Sequence, residues 1–172
     1  MWTKMERTGH RGLKPKGLKS TKCGGLMVTR FRGHAEARLD EKGRLKMPSV
    51  FRKIFENTYG ASLFITALTD DYLQIYPLQI WEEIEAKVNR LGAMSPLRRK
   101  FMTRANRFGT EVEMDSQGRV SLKPNQRHLV NLEDQIVLIG CTDHLEMWPA
   151  DRSEPSMDTD AFSLEDFSAL GI

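Results

Sequence analysis

The chain writes one short pattern twice. "LDEKGRLKMP" places Asp40, Gly43 and Arg44 ahead of an alternating stretch, and "MDSQGRVSLKP" places Asp115, Gly118 and Arg119 in the same relation. Asp115, Arg119 and Arg127 follow Asp40, Arg44 and Arg52 by 75 positions each. A constant offset over this span marks an internal repeat, which restricts the chain to folds built from two related units.

Each unit reads as a hairpin, a short helix and a β-rich pair. In the first, Ala37 and Leu39 alternate with Glu36 and Arg38, and Leu45 and Met47 alternate with Arg44 and Lys46. This spacing predicts a hairpin with one dry face. Asp40 supplies an Asx-turn, and Gly43 supplies a positive φ. The second copy repeats the arrangement, with Val112 and Met114 inward before the turn, Val120 and Leu122 inward after it, and Arg119 outward. Pro48 then opens a short helix carrying Phe51, Ile54 and Phe55, which Gly60 closes. Its counterpart runs from Pro124 through Leu129.

Two apolar, β-rich segments follow, one from Leu63 and one from Ile136. Asp71, Leu73, Tyr76 and Pro77 match Asp143, Leu145, Trp148 and Pro149 at an offset of 72. A loop shorter by three residues accounts for the change, and loops tolerate such changes. Between the copies, Ile80, Trp81, Ile84, Val88 and Leu91 recur at helical spacing, and Ser95-Pro96 starts a second helix with Leu97, Phe101, Met102 and Ala105. The connection is a helical hairpin. Arg98, Arg99, Lys100, Arg104 and Arg107 on its second helix read either as a solvated basic face or as one that meets phosphates.

Composition sets outer bounds. A chain of 172 residues with 40% hydrophobic content can build one domain or two small ones. Only Cys23 and Cys141 are present, which fits a reducing cytoplasm and no structural disulfide. No apolar run reaches the roughly 18 residues that suggest a membrane span, so a soluble protein with no membrane partner is expected. The net charge of +3 conceals basic residues crowded before Met27 and acidic ones after Ala150. Neither end has the apolar density to fold alone, although Phe162, Leu164, Phe167 and Leu170 could form one short docked segment. No apolar segment of signal-peptide type follows the N-terminal basic residues.

His10, His34, His128 and His144 show no metal-ligand spacing with either cysteine and read as solvated or structural. Asp71 and Asp143 read as turn chemistry, and Trp81 and Trp148 as core. No catalytic residue, metal site or cofactor is assigned, and an enzyme is not expected.

The order "FRG…LDEKGRLKMP…FR…YP…W", a helical hairpin, then "E-x-D-x-x-GR…LIG…EMW" resembles the MraZ family over residues 31–148. The resemblance implies an α+β, β-rich fold of two tandem AbrB-like (SpoVT/AbrB-type) β-α-β units. Their swapped hairpins interlock, a helical hairpin joins them, and several chains close into a ring. The chain then divides into a basic, disordered extension (1–30), a first AbrB-like domain (31–77), the helical linker (78–107), a second AbrB-like domain (108–149) and an acidic tail (150–172). Family members usually begin a residue or two before "FRG", so residues 1–26 are either an extension or an artefact of starting at Met1 rather than Met27.

The function implied is that of a bacterial, cytoplasmic, nucleoid-associated repressor. It binds short tandem repeats in double-stranded DNA, in a promoter of division and cell-wall genes that often includes its own. The family motif falls on Asp40, Lys42, Gly43 and Arg44, and again on Asp115, Gly118 and Arg119. Physically, an arginine at a strand start can contact guanine bidentately, while Lys42 and Lys46 neutralise phosphates and Asp40 orients the guanidinium. Arg38, on the polar face before the turn, joins this DNA-binding set. The same Asp40 and Arg44 also read as an ion pair that merely braces the hairpin.

The second copy departs from the pattern. Gln117 stands where Lys42 stands in the first, Pro124 comes one place later than Pro48, and Glu111 and Glu113 make the surroundings of Arg119 more acidic. Two rival readings remain. One is an antitoxin-like DNA-binding module whose acidic tail neutralises a partner protein, and the other is a structural ring protein with an incidental basic face.

Overall fold

The computed structural model describes residues 30–152 and 168–171. The basic extension with His10 and Cys23, and the acidic stretch with Phe162, Leu164 and Phe167, lie outside them. Leu170, which does lie within, is 60% exposed.

The strands are β1 (His34–Arg38), β2 (Arg44–Lys46), β3 (Ser62–Thr66), β4 (Leu73–Pro77), β5 (Thr110–Glu113), β6 (Arg119–Ser121), β7 (Gln135–Gly140) and β8 (Leu145–Pro149). The α-helices are α1 (Ser49–Ile54), α2 (Leu78–Asn89), α3 (Pro96–Arg107) and α4 (Pro124–Leu129). A π-helical turn, Phe55–Tyr59, extends α1 until Gly60 ends it at φ 87°. The fold is α+β, with one large antiparallel sheet and several helices.

The predicted strands and helices are present, but the predicted hairpin is not a ladder. Only a single bridge, Leu39 to Leu45, joins the two sides of the first turn. Beyond it β1 leaves to pair with β7, and β2 pairs with β6. Likewise β5 pairs with β3 rather than with β6. The six-stranded sheet therefore runs β1-β7-β8-β4-β3-β5, so that the first strand of each copy lies along a strand of the other. A two-stranded hairpin alone is marginal in water. Exchange gives each short strand a partner and closes Leu45 and Val120 off completely, both at 0% exposure.

One core draws on both copies. Phe31 is its anchor, with its ring 4.7 Å from Phe55, 5.8 Å from Tyr59 and 6.3 Å from Phe51. Leu45, Val120, Ile136, Leu138 and Leu145 pack in the same cluster. Burying a side chain of this size contributes roughly 1.5–3 kcal/mol, which explains why neither copy keeps its apolar strands to itself. Gln126 of α4 is fully buried and fully used: its Nε2 donates to the carbonyls of Ile65 and Phe108, and its Oε1 accepts from the Lys123 amide.

The helical hairpin packs on the sheet through a second cluster of Phe64, Tyr76, Trp81 and Ala105. Trp81, buried as expected, stacks on Phe64 at 4.3 Å and on Phe101 at 5.9 Å. Ser95 caps α3 by accepting from the Arg98 amide. Leu91, placed by periodicity on the inner face of α2, lies past the end of that helix and is half exposed. Trp148 is also buried, stacked on Tyr72 at 4.4 Å. Among the described residues no helix is long and apolar enough to cross a membrane.

Candidate nucleic-acid interface

Both motif turns close in the same way. The Gly43 amide donates to the Asp40 carbonyl at 2.8 Å, and the Gly118 amide donates to the Asp115 carbonyl at 2.8 Å. The Asp40 Oδ1 accepts from the amides of Lys42 and Arg44. The Asp115 Oδ1 accepts from those of Gln117 and Arg119. The glycines sit at φ 71° and 76°, in the left-handed region that a side chain resists. Each aspartate thus organises three residues of backbone and sets where the following arginine leaves the turn.

The turns meet because β2 and β6 pair. In this two-stranded ribbon Lys46 lies opposite Arg119, Leu45 opposite Val120 and Arg44 opposite Ser121. Alternation buries Leu45 and Val120 and turns Arg44, Lys46, Arg119 and Ser121 to the other face. Two arginines 75 positions apart in sequence thereby share one small cationic surface.

Their side chains differ. The Arg44 Nε and Nη2 both lie 2.7 Å from the Asp40 Oδ2, with the two side chains 35% and 39% exposed to solvent. An ion pair at the surface adds little stability. Its effect is orientation, since a guanidinium held at one edge leaves its remaining donors directed outward. Among the described residues no hydrogen bond holds the Arg119 guanidinium, and Asp115 binds only backbone on its own turn. The Arg44 amide and then its guanidinium hold the Asp40 carboxyl below the usual carboxylate range. The amides of Arg119 and Gln117, then the charges of Arg119 and Arg44, do the same for Asp115.

Beneath each turn lies an arginine from the opposite copy. A Cβ built on Gly43 would come within 2.8 Å of the Arg127 guanidinium, and one on Gly118 within 2.7 Å of the Arg52 side chain. Arg52 is anchored, donating to the Ser116 carbonyl at 3.0 Å and to Glu56 at 2.7 Å. Arg127 is looser, its buried Nε having no hydrogen-bond partner among the described residues. The sequence carried the signal for this exchange in the shared offset of Arg52 and Arg127, but without strand partners it assigned them no role.

The remaining expected residues separate. Lys42 is exposed at the tip of the first turn. Arg38 is exposed on β1 opposite Gln135, in the large sheet rather than the ribbon. On α3, Arg104 is used internally: it donates to the carbonyls of Ala67 and Thr69, pairs with Asp70 and lies over the Phe108 ring. Arg99, Lys100 and Arg107 line an open groove beside it with Leu68 and Pro96. The β7–β8 turn holds a grouping that the sequence reading passed over. Cys141 and His144, whose spacing predicts no shared metal, stand together there with Glu146.

The family profile described as "MraZ protein, putative antitoxin-like" matches residues 30–104 and 108–168. A protein of Acidobacterium capsulatum named Transcriptional regulator MraZ is 38% identical over 140 residues, covering 81% of this chain and 96% of that protein. One of the same name from Koribacter versatilis is 32% identical over 146 residues, covering 83% and 99%. A third, from Syntrophobacter fumaroxidans, is 37% identical over 118 residues, covering 69% and 78%. With both motif turns inside the matched residues and nearly the full length of two relatives covered, the chain belongs to the MraZ family.

Proposed function

We propose that this protein is a sequence-specific DNA-binding transcriptional regulator, a repressor that reads short tandem repeats in a promoter of division and cell-wall genes, including its own. The observation that carries the reading is the β2–β6 ribbon, which gathers Arg44, Lys46 and Arg119 on one face with Arg44 braced by Asp40. A two-stranded ribbon fits the major groove of B-DNA, and an arginine fork matches the O6 and N7 of guanine. The brace fixes the guanidinium before DNA arrives, so less side-chain entropy is lost on contact. Lys42 and Lys46 supply sequence-independent attraction to phosphates.

One ribbon covers few base pairs, too few to outcompete the non-specific sites of a genome. Several chains closed into a ring would present identical ribbons to successive repeats and bind them with high effective concentration. An antitoxin-like module acting on a partner protein is the second reading, favoured by the wording of the family description.

Gel shifts on the upstream region of the protein's own gene, with one, two and three repeats, test the proposal together with light scattering on the free protein. Affinity should climb steeply with repeat number and fall when the spacing changes by half a helical turn. A monomer that binds one repeat as tightly as three would remove the ring. Absence of any preference for the upstream fragment over random DNA would remove the repressor.

A further inference from the structure

The duplicated fold contains its own control for the β7–β8 turn. At the offset of 72, Cys141, His144 and Glu146 correspond to Thr69, Tyr72 and Gln74 of the first copy. The first copy connects β3 to β4 with those residues, so the turn itself requires no thiol, imidazole or carboxylate. In the second copy all three positions carry a group that ligates transition metals. Their donor atoms lie within 4.8 Å of one another.

The surroundings hold these donors in place. Asp143 Oδ1 lies 2.7 Å from His144 Nδ1. A carboxylate accepts, so Nδ1 carries a proton, and in the neutral imidazole the lone pair is then on Nε2, the arrangement that carboxylates impose on metal-binding histidines. That Nε2 is buried and has no hydrogen-bond partner among the described residues. It stands 3.9 Å from Glu146 Oε1, too far for a hydrogen bond. The ring is fixed by stacking on Tyr76 at 4.6 Å. Glu146 keeps one oxygen for Trp148, whose Nε1 donates to Oε2 at 3.0 Å, and turns the other toward the histidine. Between Cys141 and His144 the backbone adopts a left-handed conformation at Thr142, φ 73°, unusual for a β-branched residue. Backbone bonds to Phe31 in both directions hold Thr142 there.

We propose that Cys141, His144 and Glu146 form a binding site for a divalent transition metal of borderline softness, such as zinc. Tetrahedral coordination at ordinary Zn–N, Zn–O and Zn–S lengths needs donors about 3.5 Å apart. Closure from 4.8 Å is within the reach of side-chain rotation: Cys141 is only half-buried, its thiol lies 4.0 Å from the Ile139 carbonyl, and it already interacts with the Glu146 carboxylate. The first copy cannot do the same, and Arg104 occupies the corresponding turn by binding the Thr69 carbonyl and Asp70.

The test uses the full-length, tag-free chain after chelator treatment. Titration with Co²⁺ should reach about one equivalent per chain, with tetrahedral ligand-field bands and a thiolate charge-transfer band that Zn²⁺ abolishes. Cys141→Thr and His144→Tyr, which import the residues of the first copy, should each abolish uptake while circular dichroism stays unchanged. Cys23→Ser should have no effect. A readout without variants is alkylation of the native chain by iodoacetamide, mapped by mass spectrometry, in which Zn²⁺ should protect Cys141 and spare no other thiol. Lack of cobalt uptake by the unmodified chain would overturn the proposal. So would a thiolate band that survives Cys141→Thr, or equal alkylation of Cys141 with and without zinc.

Discussion

The two motif turns have the same hydrogen-bonded backbone and end in different side-chain states. In the first, Asp40 grips both the Arg44 amide and the Arg44 guanidinium. In the second, among the described residues, Asp115 grips only amides, and Arg119 leaves without a brace. The backbone of a turn is thus set by Asp and Gly, whereas readiness to bind depends on whether the following guanidinium engages the carboxylate's second oxygen, as Arg44 does and Arg119 does not among the described residues. A duplicated motif supplies two sites of equal geometry and unequal preorganisation.

If that contrast governs recognition, Arg44→Ala should have the largest effect of any single change in the ribbon. A base-reading arginine contributes about 1–3 kcal/mol of discrimination, roughly 5- to 150-fold between operator and random DNA. Arg119→Ala should lose less, because an unbraced arginine gives up about 0.5–1.5 kcal/mol in side-chain ordering when it binds. Binding isotherms on the upstream fragment and on random DNA measure both. Equal losses from the two variants would mean that the Asp40 brace is irrelevant, and losses shared equally by both DNAs would reduce Arg44 to a phosphate contact.

The glycines test the comparison through stability. Gly43→Ala and Gly118→Ala each force an L side chain into the left-handed region, at a cost of about 1–2 kcal/mol. Each new Cβ also meets an arginine from the other copy. Arg52 under Gly118 is held by Ser116 and Glu56, while the Nε of Arg127 under Gly43 makes no hydrogen bond among the described residues. Gly118→Ala should therefore lower the urea midpoint more than Gly43→Ala. The reverse order would show that backbone strain alone decides.

A smaller effect is expected from the residue that the second turn lacks. Gln117→Lys restores the charge that Lys42 gives the first turn. It should strengthen binding to operator and random DNA alike and steepen the salt dependence by about one unit of slope. A gain confined to operator DNA would instead place position 117 against a base edge.

Period-two alternation, Pro and Gly at helix ends and the helical run around Trp81 made each element legible, because these signals act within a few residues. Strand partnership was not legible. The alternation of Ala37 and Leu39 with Glu36 and Arg38 looks the same whether β1 lies beside β2 or, as it does, beside β7. In the ribbon, the Asp40–Arg44 pair lies within one turn and could be read, whereas Arg127 beneath Gly43 depends on a contact between copies. The grouping at Cys141, His144 and Glu146 was compact enough to read, but its donors converge only because Thr142 reverses the chain with a φ that its residue type does not suggest.

The smallest expected effect is also the most selective. Both motif aspartates hold their protons less tightly than the ordinary value of 3.8, for reasons that differ in one respect. Arg44 acts on both carboxylates, by direct bonds on Asp40 and by charge on Asp115, while Arg119 contributes to Asp115. Depressed folded-state values stabilise the turns above the unfolded carboxylate range, and that contribution is lost as pH falls through the folded values. Carboxyl-carbon NMR titration should place both groups below 3.8 in the native chain. Arg44→Ala should raise both, Asp40 by more, without returning either to its ordinary value, because the turn amides still donate. Arg119→Ala should raise Asp115 and leave Asp40 in place. An Asp40 that moves in both variants would mean that the two turns share their charges evenly and that the asymmetry between Arg44 and Arg119 does not survive in solution.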